Sequence, residues 1–165
     1  MLENKTYLRQ ADRDDMELFF QWVNEPAVRK NSFNTEPIPW ENHQAWFEKV
    51  LADEDIRIYV LMKNDNPIGQ VRLALEDSKW QISYSIASSY RGQGYGKVIL
   101  QLVENKLIYD GLVGETLFAE VKADNVASQR IFIKLGYQEA ASEHTDAYAY
   151  IKVVEAKERA NVTNQ

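Results

Sequence analysis

The sequence predicts a single-domain α/β fold on a mixed, mostly antiparallel sheet, and three observations carry that expectation. Its 165 residues match one domain, for which about 100–200 residues is the usual span. Its apolar residues change period along the chain, from three-and-four spacing to strict alternation and back. A strand, a helix and a second strand then follow one another between residues 80 and 121, an order that makes the two strands parallel.

The element order read along the chain is βααβββαβαββ. Met16, Phe19, Phe20 and Val23 recur at three and four, which predicts a short helix from Asp12 that ends before Pro26. A polar loop is expected over residues 25–36. The next helix begins near Pro39 and carries Trp46, Phe47, Val50 and Leu51 on one stripe, with His43 extending the stripe toward its N-terminus. Residues 56–62, 68–75 and 80–86 alternate with period two around turn-forming runs, which predicts an antiparallel meander. Val98, Ile99, Leu102, Val103 and Leu107 return to helical spacing and stop near Gly111 and Gly114. Residues 117–121 form a strand, 125–135 a helix closed by Gly136, and 137–141 and 147–154 two final strands. The domain is expected to occupy residues 1–155, with a polar, frayed tail at 156–165.

Composition limits the chemistry. With 45% hydrophobic and 27% charged residues the chain buries enough apolar surface to fold. Nineteen Lys and Arg against 25 Asp and Glu leave a net charge of −6, so neither nucleic acid nor an anionic membrane is an expected partner. An anionic ligand therefore needs a local basic or backbone-amide site. The absence of Cys excludes disulfides, thiolate metal centres and a Cys nucleophile, and His43 and His144 lie far apart in sequence, so no metal site is expected. Residues 1–5 lack the apolar core of a signal peptide, and no apolar run reaches the ~18 residues of a membrane span. These features predict a soluble, cytoplasmic protein, monomeric or homodimeric.

The stretch Tyr84-Ser85-Ile86-Ala87-Ser88-Ser89-Tyr90-Arg91-Gly92-Gln93-Gly94-Tyr95-Gly96 joins the meander to a helix. Three glycines, alternating with Gln93 and Tyr95, let backbone amides approach a ligand, and the helix N-terminus adds partial positive charge, so the turn suits a phosphate or pyrophosphate. The glycine spacing is neither that of a P-loop nor that of a Rossmann turn.

Arg91-Gly92-Gln93-Gly94-Tyr95-Gly96 resembles the Arg/Gln-x-x-Gly-x-Gly/Ala signature of the GNAT acetyltransferase superfamily. Asn125-Val126-Ala127-Ser128 followed by Phe132-Ile133-Lys134-Leu135-Gly136-Tyr137 resembles the later helix of the same superfamily, and the order of elements agrees. The resemblance implies a GNAT fold with a splayed central pair of parallel strands and acetyl-CoA as cosubstrate. It implies that Arg91, Gly92, Gln93, Gly94, Tyr95 and Gly96 hold the pyrophosphate. Asn125, Ser128 and Phe132 would flank the pantetheine arm, and main chain near Ser85 and Ile86 would bond it and polarise the thioester. Asn125, Ser128 and Phe132 share one helix face by spacing alone, and Asn125 also suits an N-cap.

For catalysis, Glu120 stands where family members often carry a glutamate that deprotonates the amine through water, and His43 is the rival base, with a pKa suited to neutrality. Many relatives have Tyr at the position of Phe132 as the acid for the departing thiolate. Phe has no proton to give, which leaves Tyr148, Tyr150, Tyr84, Ser128 or water in that role, or a weakly basic thiolate that departs unaided. The segment around Asn24, Pro26, Arg29, Lys30 and Phe33, followed by His43, Trp46 and Phe47, resembles acetyltransferases of nucleotide-linked amino sugars of the pseudaminic acid pathway type. It also shares features with ribosomal-protein N-terminal acetyltransferases. That resemblance implies a small-molecule amine acceptor held by Arg29, Lys30, Phe33, Trp46 and Tyr84. A protein α-amine is the alternative acceptor, and a catalytically silent acyl-CoA-binding module the alternative class.

Overall fold

Strands from both halves of the chain pair into one sheet. The computed structural model describes residues 5–156, and its strands are β1 (Thr6–Gln10), β2 (Ile56–Lys63), β3 (Asn66–Glu76), β4 (Lys79–Ile86), β5 (Thr116–Lys122), β6 (Gln138–Ala140) and β7 (Ala147–Val153). Their spatial order is β1-β2-β3-β4-β5-β7-β6. The helices are α1 (Met16–Val23), α2 (Pro26–Asn31), α3 (Trp40–Leu51), α4 (Tyr95–Tyr109) and α5 (Val126–Lys134). The expected tail at 156–165 lies, beyond Ala156, outside the described residues.

The expected meander is present as β2, β3 and β4, all antiparallel, and its first hairpin closes more tightly than expected. Lys63 pairs with Asn66, so the turn is Asn64-Asp65 with Asn64 at φ 53°, a conformation asparagine tolerates. The expected parallel pair is present as β4 and β5, but only Lys79–Gln81 pair with Thr116–Phe118. Beyond those three pairs the strands part.

Two expectations need correction. Residues 25–36 are not all loop, because Pro26 opens the short helix α2 at its first turn, where proline's fixed φ suits a helix start. None of its residues is buried, so no apolar stripe announces it. On α3 the buried stripe is His43, Phe47 and Val50, whereas Trp46 and Leu51 are 38% and 37% exposed. The helix leans on the sheet over a narrower face than its apolar content suggests.

Hydrophobic cores cover both faces of the sheet. One gathers Val71, Leu73, Ile82, Ile99, Val103 and Leu107 beneath α4, and the other gathers Phe19, Trp22, Phe47, Val50, Ile58 and Val60 beneath α1 and α3. The entry to α1 is fixed by a capping box between Asp12 and Asp15, and Arg9 clamps Asp15 with two hydrogen bonds of 2.7 and 2.8 Å. Phe47 is fully buried with its ring 5.3 Å from that of Phe19. Phe47→Ala is expected to lower unfolding free energy by about 3–5 kcal/mol in urea denaturation, since it removes a buried ring and leaves a cavity.

Candidate active site

The gap between β4 and β5 continues into a cleft of about 1030 Å3 that runs from the N-terminus of α4 to the segment between α2 and α3. At one end the chain must turn sharply from β4 into α4. Gly92 and Gly94 make that turn at φ +73° and +89°, and Gly94 is the N-cap of α4. No side chain caps this helix, and its first intrahelical bond is donated by Val98, so the amides of Tyr95, Gly96 and Lys97 have no acceptor within the helix. A Cβ built at Gly92 or Gly94 would meet no atom within 4 Å, so the space above these amides is open. Gly96 is glycine for another reason: a Cβ there would come within 2.8 Å of Ile131 and 3.3 Å of the Tyr84 ring. Uncapped amides at the positive end of a fifteen-residue helix form an anion cradle.

Arg91 does not point freely at that cradle. Its Nε donates to the Ile86 carbonyl at 2.9 Å and its guanidinium pairs with Glu25, which pins the end of β4 to the turn before α2. Ser85 and Ile86 lie on the cleft wall beside it. Gln93 is turned away, donating to the Ser89 carbonyl at 3.2 Å, and is absent from the wall.

Deeper in the cleft α5 closes the gap. Asn125 is its N-cap, accepting from the Ser128 amide at 3.4 Å, and both residues reach the wall. The Ser128 hydroxyl is 2.9 Å from the Tyr84 hydroxyl. Burial pushes the Tyr84 phenol above its ordinary value, with the Ser128 hydrogen bond opposing, so the proton stays on Tyr84 at neutral pH. Phe132, 1% exposed, lines the cleft from α5, stacked on Tyr150 at 5.7 Å and edge-on to Tyr84 at 6.1 Å. Tyr150 is buried beneath it and off the wall.

At the far end Glu120 of β5 faces the cleft and accepts a 2.8 Å hydrogen bond from Ser142 on the same oxygen that lies 3.8 Å from His144 Nε2. The His144 ring stacks on Phe33 at 3.9 Å and 12°. Ser142, His144 and their link to Glu120 went unread in the sequence, because the connection between β6 and β7 carries no periodicity. Its one cue was a lone histidine in a polar run.

Several expected site residues are otherwise engaged. His43 reaches the cleft wall but is 2% exposed, and its Nε2 lies 2.8 Å from the Met16 carbonyl. A carbonyl only accepts, so Nε2 carries the proton and the ring is held in the packing between α1 and α3. Arg29 lines the cleft, yet its guanidinium donates to the carbonyls of Val23, Asn34 and Glu36 and to the Ser32 hydroxyl. It stitches its loop rather than presenting a free cation. Lys30 is exposed and off the wall, and its carbonyl accepts from Lys122 at 3.1 Å. Tyr148 is 43% exposed at the register position of Val121 and also off the wall, so the structure does not bring it to Glu120 and Tyr84. Among the described residues no group of three or more His, Asp or Glu is placed to hold a metal ion.

The profile of the Acetyltransferase (GNAT) domain matches residues 5–138. A Methanocaldococcus jannaschii protein, "Uncharacterized protein MJ1062", is 23% identical over 154 residues, which cover 90% of this chain and 31% of the relative, so the chain spans under a third of that protein's length. Among solved structures, AAC(6')-Ib in complex with ribostamycin and coenzyme A superposes with a TM-score of 0.79 at 20% identity, covering 91% of this chain and 94% of that one. RimL, a ribosomal L7/L12 alpha-N-protein acetyltransferase in complex with coenzyme A, superposes with a TM-score of 0.79 at 17% identity over 94% and 97% of the two chains. At these identities the likeness is one of fold.

The placement of His43 has a consequence in pH. Burial holds its pKa below the ordinary 6.5, with the Met16 bond opposing, so the unfolded chain takes up this proton before the folded one. The contribution to stability is complete above about pH 6.5 and falls as pH drops toward the lower folded value. Urea denaturation at pH 7.5 and 5.5 is expected to show a loss of stability in wild type that is smaller in His43→Gln, which keeps a donor for Met16 without a titrating ring.

Proposed function

The chain belongs to the GNAT acetyltransferase family, and from that premise we propose that it moves the acetyl group of acetyl-CoA to a primary amine. The observation that carries this reading is the uncapped, glycine-lined N-terminus of α4 standing at the mouth of the gap between β4 and β5. The residues fit the group: open amides at Gly92–Lys97 suit a pyrophosphate, and beyond Gln81 the β5 side of β4 has no strand partner, which leaves main chain such as the Ile86 amide for an amide-bearing arm. Asn125 and Ser128 border the same path.

Bound acetyl-CoA supplies the thioester that the amine attacks. Glu120 takes the proton of the incoming ammonium through water. Ser142 holds one carboxylate oxygen, and the other makes no hydrogen bond among the described residues. His43, fixed with its proton toward Met16, is a packing residue in this scheme. The Tyr84 hydroxyl, kept protonated by burial and aligned by Ser128, gives its proton to the departing sulfur, the task that Phe132 has no group to perform. The acceptor in this reading is a small molecule, best a nucleotide-linked amino sugar, since the aromatic rings of Phe33 and Trp46 line the cleft and suit a sugar or base face. A protein α-amine is the second acceptor class. Release of free CoA in the presence of an amine separates either from a silent acyl-CoA-binding module.

Calorimetric titration with acetyl-CoA tests the cradle. Gly94→Val is expected to weaken binding by about tenfold or more while the protein still melts cooperatively, because a branched Cβ both strains a left-handed cap and covers the amides. Unchanged affinity would remove the cradle from the reading. For the base, Glu120→Gln is expected to slow CoA release about 10²–10⁴-fold at saturating acetyl-CoA. A slow His43→Gln beside a normal Glu120→Gln would exchange the two roles.

A further inference from the structure

Arg72 stands in the middle of β3, opposite Ser83 of β4 and Ile58 of β2. Alternation along β3 sends Val71 and Leu73 into the core beneath α4, so Gln70 and Arg72 face the side covered by α1 and α3, where both line the cleft. The Arg72 guanidinium lies 5.4 Å from the centroid of the Trp46 ring. The other half-buried arginines, Arg9, Arg29 and Arg57, each donate to a carboxylate or carbonyl oxygen. Among the described residues Arg72 donates to none, and Glu76, on the same face of its strand, acts on it only through space.

A half-buried guanidinium whose donors have no oxygen partner among the described residues is free to bind an anion that enters the cleft. The Trp46 ring lies against the cation, and the edge of the guanidinium, where the donors are, stays free of protein oxygens in the cleft that both residues line. That edge is the complement of a phosphate or carboxylate, which it can bind through two parallel hydrogen bonds. The position fits a substrate rather than the cradle at α4. Gln70, two residues along β3, pairs with Ser85 in register and donates to its hydroxyl at 3.1 Å, so Arg72 stands about 7 Å along the strand from the place proposed for the thioester. One small molecule spans that distance.

Resting on the acetyl-transfer reading above, we infer that Arg72, backed by Trp46, is a specificity-determining residue that binds the acidic group of the amine acceptor, a phosphate or carboxylate carried by the same small molecule as the amine. It takes the part that the sequence reading gave to Arg29 and Lys30. It also selects against polycationic acceptors, because a guanidinium without a carboxylate partner in the cleft repels a second ammonium.

Matched amines test this by CoA release. O-phosphoethanolamine against ethanolamine and glucosamine 1-phosphate against glucosamine probe phosphate, β-alanine against its amide probes carboxylate, and spermidine is the polycation. The expected result is a preference for the acidic member of at least one pair, with the pair that responds naming the acid. Arg72→Met should raise the KM of that member about tenfold or more, leave its neutral partner's KM within about twofold and change kcat little. Arg72→Lys should recover part of the loss, since it keeps the charge without the fork. Preference for neutral members or spermidine, no turnover of any acidic amine, or an equal loss on both members of a pair in Arg72→Met would each overturn the inference. Calorimetry with acetyl-CoA keeps the two readings apart: wild type that fails to bind it refutes the acetyl-transfer reading, whereas binding that persists in Arg72→Met beside any of those failures refutes only the role of Arg72.

Discussion

Two parallel strands that hold together for three residue pairs and then part are the constraint from which the rest of the site follows. Backbone groups in a sheet interior need partners, and a gap between central strands is stable only if something else fills it or water reaches it. Phe132 of α5 packs beside it, its ring in contact with Tyr84 of β4 and Tyr150 of β7. Arg91 holds its mouth, tying the Ile86 carbonyl at the end of β4 to Glu25 across the cleft entrance. With the strands kept apart, α4 must begin at the mouth of the gap, and its uncapped amides face the opening. The cradle, the path for a ligand arm and the carboxylate of Glu120 are thus consequences of one interrupted ladder.

The electrostatics of the cleft follow from how few cations an acidic chain leaves free. Arg29 is consumed by its own loop, Arg91 by Glu25 and Ile86, and Lys30 lies outside the wall. What remains to attract anions is the helix N-terminus at one end and the Arg72 guanidinium nearer the other. Neither depends on net charge, so the two anion sites proposed above are compatible with a chain of charge −6. Glu120 lines the same cleft from β5, on a different strand from Arg72.

Much of this architecture was legible in the sequence, because the signals that mark it are local. The alternation of 56–86 and the stripes of α1, α4 and α5 gave the meander and the helices within a few residues, and the glycines marked the turn that opens α4. What the sequence concealed is what depends on neighbours distant in the chain. Residues 26–31 form a helix with no apolar face, held by Pro26 and by the bonds of Arg29, so no periodicity marks it. Arg29 and Lys30 read as a basic pair, and only the folded loop reveals where their bonds go. Arg72 sits between Val71 and Leu73 in an alternating strand, a pattern that ordinarily places a solvated cation on an outer face. Here α3 brings Trp46 over it. The contact of His144 with Phe33 joins residues more than a hundred positions apart, and nothing local predicts it.

The tyrosine-to-phenylalanine departure at position 132 changes which element controls the last proton. A donor on α5 would move with that helix alone. With Phe132 there, the acetyl-transfer reading gives the proton to the Tyr84 hydroxyl, on β4, which is hydrogen-bonded to Ser128 in the first turn of α5. Ser128 in turn is fixed through its amide by the Asn125 cap. Capping of α5, a local matter of helix stability, is thereby coupled to the aim of a phenol on the opposite strand. The same phenol packs against Phe132 and against Gly96, where a larger residue would displace it. In the acetyl-transfer reading the proton donor is therefore held from three sides: by the helix that binds the anion, by the helix cap, and by the ring of Phe132. Its precision belongs to the packing of the gap rather than to any single residue.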